Sequence, residues 1–327
     1  MLGIIGYFAL SALQSGDESS IGVTLAKQIT GLYPISRLFM SYYNFPMYYG
    51  MGFYIVLSIV VFYLFVKIAS LKYGLLNTLA NTKSSYANDK VSYERKSVFF
   101  ALYQKELGRF LSSYMAVLNA GLGVILLCVF SICFLFNSVG QIGNSAGIEN
   151  INEYLSNLAP VFIASMLSLS CPAASSISLE GKNIWILKSS PVEIKMILNA
   201  KIAVNLTLHL IGYMISVSVF MLKLDMNPIQ VMNLVIVPIC YSLFITVIGI
   251  SLNKKYPNYD WDSEMIVVKQ SLPVIVTGII GMIVLITPIF LNWVLNIPIT
   301  FVLQVVSVVL LVITMGVYIT MSKSNFI

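Results

Sequence analysis

Three carboxylates fall within five residues at Asp260, Asp262 and Glu264, close enough along the chain to share a divalent cation. The same run also reads as the solvated start of a helix, where acidic side chains complement the dipole and Trp261 lies at headgroup level. No EF-hand spacing or inward turn accompanies it, so the helix start is preferred. The single histidine, His209, could titrate or touch a substrate, yet a lone histidine in an apolar run more often bridges helices by hydrogen bonding. Cys128, Cys133, Cys171 and Cys240 sit in apolar runs without CxxC spacing or an adjacent carboxylate or histidine, which marks them as packing residues. Gly181-Lys182-Asn183 is the nearest approach to a phosphate-binding loop, and it lacks both the hydroxyl and the upstream glycine. Ser190, Pro191 and Glu193 have capping-box spacing, with Ser190 as cap, Pro191 at the first helical position and Glu193 closing the box.

The elements that must carry these residues are membrane helices. Of the 327 residues, 58% are hydrophobic and 10% charged, and the mean hydropathy is +0.88, which leaves no room for a water-soluble domain of any size. A span needs about 20 apolar residues. The uncharged runs give seven, at 47–66, 114–136, 158–178, 202–222, 230–252, 272–291 and 299–321. The last long run divides in two because Pro288, Asn292, Asn296 and Pro298 punctuate it. Continuous rather than alternating apolar runs argue against a β-barrel.

With a cytoplasmic C-terminus, segments 67–113, 179–201, 253–271 and 322–327 hold 16 of the 19 basic residues. The positive-inside rule then places these segments in the cytoplasm and the 137–157 loop outside. It also accounts for the +6 net charge without nucleic acid as a partner. Residues 1–13 are apolar but too short to span and lack a basic n-region, so they read as the outer part of a helix whose inner part is missing. The organisation expected is a partial helix and external segment at 1–46, one span with a basic linker at 47–98, an amphipathic helix at 99–113 and a six-span unit at 114–327.

In 99–113, Phe99, Leu102, Tyr103, Leu107, Phe110 and Leu111 recur at helical spacing with Gln104, Lys105 and Arg109 opposite, the pattern of a helix lying on the inner leaflet. Segment 179–201 presents Trp185 and other apolar residues on a rigid protrusion of mixed charge, a surface for a partner protein or a plain structured connector. Within the membrane the polar residues are few. His209, Asn205, Asn119, Cys171 and Pro172 are candidates for a substrate path, with helix packing preferred for the small-residue stretch 168–178. None of the seven spans contains Asp, Glu, Lys or Arg, which argues against an ion-driven carrier. No GxxxxGK[ST] loop occurs, so energy is expected from a partner ATPase, with no cofactor in this chain and no enzymatic activity of its own.

The succession LYQKELGRFLSSYMAVLNAGLGVILL, CPAASSISLEGKNIWILKSSPVEIKMILNAK and LNKKYPNYDWDSEMIVVKQS resembles bacterial ABC transporter permeases of the type-2 exporter class, over about 99–327. The resemblance implies an inner-leaflet helix at 99–113, six spans in 114–327 and a docking loop at 179–201. On it, Glu180, Lys182, Trp185, Ser190, Pro191 and Glu193 would couple to a separate ATPase. Larger members join two such halves, whereas this chain has one half, one preceding span and a partial one. The expectation is therefore an all-α polytopic permease subunit of an ATP-driven exporter in the bacterial cytoplasmic membrane, paired with an ABC ATPase and with a second copy or another half, among membrane lipids. The alternative is a truncated, non-transporting remnant of such a permease, or an accessory that binds the ATPase.

Overall fold

A computed structural model describes residues 52–53, 55–67, 70–71, 97–136, 139 and 151–323. Expectations for 1–46, for most of the 67–98 linker and for 140–150 fall outside the described residues. The chain divides into two compact units, Met1–Tyr93 and Glu94–Ile327. Described residues of the first include one short apolar helix, α1 (Ile55–Lys67). The described residues of the second form helices joined by turns and extended connections, with no strand among them.

Its helices are α2 (Val98–Ser112), α3 (Tyr114–Ala120), α4 (Leu122–Phe136), α5 (Ile151–Ser168), α6 (Ile184–Ser189), α7 (Ile194–Lys223), α8 (Pro228–Lys255), α9 (Glu264–Lys269), α10 (Leu272–Leu295) and α11 (Ile299–Lys323). Two 3₁₀ turns, Pro172–Ala174 and Ser178–Asn183, lie between α5 and α6. Among the described residues five helical runs are long and apolar enough to cross a bilayer, or up to six if the pair α3 and α4, bent by 60°, is one span. The protein is an all-α polytopic membrane protein, and these runs are compatible with membrane insertion.

Helix α8 is central, packing against α5, α7, α10 and α11. Its most apolar stretch is 67% buried, against 17% for the run containing α10, so α10 presents most of its apolar surface outward. Leu234, Ile245 and Ile250 of α8 are fully enclosed, as are Ile163 of α5 and Leu303 of α11. Asn227 and Pro228 start α8, the Asn227 N–H donating to Gln230 Oε1 at 2.9 Å. Between α10 and α11 the chain turns where the asparagines and prolines predict: α10 ends at Leu295, Asn296 adopts a left-handed conformation at φ 53°, and α11 begins after Pro298.

Three details depart from the sequence reading. The span expected at 158–178 is helical only to Ser168 and then breaks into the 3₁₀ turns. Pro172 lacks an N–H, and the Ser175 and Ser176 hydroxyls donate back to the carbonyls of Pro172 and Ala173, so the local chemistry favours a turn over a continued helix. The capping box at Ser190 does not form. A residue before proline is pushed out of the helical region, so Ser190 ends α6 in extended conformation, its hydroxyl donating to the Leu187 carbonyl at 2.8 Å, while α7 starts only at Ile194 after an extended Glu193. Finally, α7 begins two turns before the expected span and brings Lys201 into the bundle, so the buried interior is not free of charge.

Candidate functional site at the broken span

Breaking a helix inside a bundle frees backbone groups that have no water to turn to, and each must be satisfied by a side chain. The intramembrane polar residues do this. Asn205 accepts from the Ala173 N–H at 3.1 Å and donates to Thr246 Oγ1 at 2.6 Å. The Ser170 carbonyl accepts from His209 Nε2, and the other ring nitrogen, Nδ1, lies 2.7 Å from Ser242 Oγ. A carbonyl can only accept, so Nε2 carries the proton, and in the neutral ring Nδ1 accepts from the Ser242 hydroxyl, which leaves both ring nitrogens bonded. Asn253 closes the far side: its Oδ1 accepts from the N–H groups of Ile177 at 2.7 Å and Ser178 at 3.1 Å, and its Nδ2 donates to Ser178 Oγ at 2.7 Å. Trp261 Nε1 donates to the Ser178 carbonyl at 2.8 Å. Gly181, at φ +55°, lies beneath the Trp261 ring, where an added Cβ would come within 3.2 Å of it.

Next to this segment five charges meet at one end of the bundle. Lys201 Nζ, with its side chain fully enclosed, lies 2.8 Å from Glu106 Oε2, 2.9 Å from Glu180 Oε1 and 3.0 Å from the Ser176 carbonyl. Arg109 pairs with Glu106, reaches Glu180 Oε2 at 2.6 Å and donates to the Ser176 carbonyl at 3.1 Å. Lys105, half-exposed, adds a contact to Glu180 at 2.9 Å. The cluster ties α2, the 3₁₀ segment and the first turns of α7 together. Three cations to two carboxylates leave it one positive charge in excess. Nearby, burial and then the negative charge of Glu180 push the Tyr259 phenol above its usual range.

The structure turns α2 differently from its sequence pattern. Its apolar residues Phe99, Phe100 and Leu111 face outward, while Glu106 and Arg109 face the bundle beside Phe110. Glu106 was missed by sequence reasoning, although it lies four residues from both Leu102 and Phe110 and so shares their face. Lys201 and Asn253 carried no such signal, because their partners are remote in sequence.

The candidate coupling residues separate. Glu180 is buried in the cluster. Lys182 pairs with Asp260 at 3.3 Å on the surface, and Trp185, Pro191 and Glu193 are exposed. Asp260 and Glu264, considered together for a cation, have separate partners, Lys182 and the Ser113 hydroxyl. Among the candidate path residues, Asn119 and Cys171 line a cavity of about 150 Å³, Pro172 lines a smaller one of about 30 Å³ beside the ion cluster, and His209 and Asn205 are anchors of the broken backbone.

The family described as "putative ATP-binding cassette" matches residues 124–324, and the chain belongs to it. Neither the curated proteins nor the solved structures yield a match. Membership corrects the expectation of a permease subunit, or a remnant or accessory of one, served by a separate ATPase, because the family's description is of an ATP-binding cassette. It likewise corrects the expectations of no enzymatic part and no cofactor in this chain. Those expectations rested on one missing loop motif, and a missing motif excludes only the kind of site that uses it. Among the described residues no triphosphate cradle is formed: the elements are helices, and the cations of the cluster are already held by Glu106, Glu180 and the Ser176 carbonyl.

Proposed function

We propose that the chain works in the membrane as a component of an ABC transporter, and that α2, the broken segment 169–193 and the start of α7 move as one mechanical unit. The observation that carries this is the ion cluster of Glu106, Arg109, Glu180 and Lys201. It joins those three elements through charges that cannot separate without leaving a buried ion uncompensated. Exposed Lys182, Trp185, Pro191 and Glu193, projecting beside it, form the surface on which a transporter partner would press, and Ser190 ends the helix that carries Trp185. The concentration of basic residues in 179–201 and 253–271 supports a cytoplasmic position for this end of the bundle and for the C-terminus.

The test uses the full chain in its native assembly in inside-out membranes, with single cysteines at Lys182 or Trp185. Labelling rates should change on adding ATP with vanadate, and Glu180→Gln should abolish the change while the chain still inserts. Rates indifferent to nucleotide in the unaltered cluster would sink the reading.

A further inference from the structure

The cavity of about 150 Å³ lies between α3, the end of α5 and α10. Of its lining residues Leu169, just past the end of α5, and Met282, on α10, are 55% and 60% exposed, so its mouth lies between them, and the run containing α10 shows most apolar surface to the surroundings. We propose that it holds a section of one acyl chain of a membrane lipid.

Three observations favour an alkyl chain. Four of the five polar side chains of the wall, with Ser168 as the fifth, turn a polar atom to backbone: Asn119 Nδ2 donates to the Met115 carbonyl at 3.0 Å, Ser165 Oγ to that of Phe162 at 2.7 Å, Thr277 Oγ1 to that of Pro273, and Cys171 Sγ lies 3.5 Å from that of Ile245. The volume is that of cavities which take a benzene-sized apolar guest, about 150 Å³. An empty recess forfeits dispersion contacts, and at a mouth rimmed by Leu169 and Met282 between membrane helices the surrounding medium is itself acyl chain. The space is real at Gly278, where an added Cβ would meet nothing within 4 Å. This assignment is independent of the transporter reading.

The experiment reconstitutes the full chain in phosphatidylcholine bilayers bearing a diazirine on one acyl chain, illuminates them and maps the adducts. Adducts should appear on the cavity floor at Cys171 and Ala174. Gly278→Leu, whose side chain fills the recess, should lower floor labelling about tenfold, the effect of displacing about two buried methylenes. Labelling of Val312, on the outward face of α11, should be unchanged, and Met282→Ala, which widens the mouth, should retain the floor adducts. Absence of floor adducts in the unaltered chain, or adducts insensitive to Gly278→Leu, overturns the proposal. Disulfide formation between copies through Gly278→Cys, with no floor adducts, overturns it in favour of a second copy of the chain covering the recess.

Discussion

Lys201 is the residue on which the ion cluster depends. Its ammonium is fully enclosed and contacts both carboxylates, whereas Lys105, at 42% side-chain exposure, is in reach of solvent. Removing one member of a buried pair leaves the others desolvated and uncompensated, a cost of about 3–5 kcal/mol, while a solvent-screened pair contributes about 0–1 kcal/mol. Lys201→Met should therefore lower the unfolding temperature of the purified protein markedly, and Lys105→Ala should hardly move it. Equal melting of the two variants would show that the cluster is not the junction described above. The same residues show the limit of sequence reasoning. Lys201 reads there as the last charge before a span, because pairing with Glu106 across 95 positions leaves no local trace.

At the scale of elements, two close approaches define the bundle. Where α4 leaves its bend it touches the end of α5 so closely that a Cβ on Gly123 would lie 2.1 Å from the Met166 carbonyl. Gly123→Ala must push backbone apart and should destabilise by about 1–3 kcal/mol or more. Gly278→Ala meets open space and should stay within about 0.5 kcal/mol, as surface substitutions do. Thermal unfolding of the two single variants compares them directly, and a harmless Gly123→Ala would contradict the packing.

The second approach is the broken segment itself. Asn253→Ala strips the acceptor from two backbone N–H groups at once, whereas Trp261→Phe removes a single donor worth about 1 kcal/mol. Hydrogen exchange across 177–183 should quicken strongly in the first variant and modestly in the second. Unchanged protection in Asn253→Ala would mean that the segment is held by something else. Pro172 by itself can bend a span. That the bend becomes a full break, anchored from α7 and α8, depends on side chains of those helices being in place.

For the molecule as a whole, the charge distribution makes a prediction about sidedness. Lys182, beside the ion cluster, and Asp225, between α7 and α8, are exposed at opposite ends of the 30-residue helix α7. Single cysteines at these positions, in a background without the four native ones, should label from opposite sides of the membrane, with Asp225→Cys reacting in intact cells. Labelling of both by an impermeant reagent from outside would reverse or remove the assignment.

Length and hydropathy alone determined that this chain is a stack of membrane helices, where most of them lie and where the last two part, because a bilayer sets a minimum apolar length and proline and asparagine interrupt helices locally. Only the tertiary structure decided what the rare polar residues do. His209, Asn205 and Asn253 hold up a broken backbone and Glu106, Glu180, Arg109 and Lys201 neutralise one another, since hydrogen bonds and ion pairs between helices are formed by distances in space that a one-dimensional pattern does not contain.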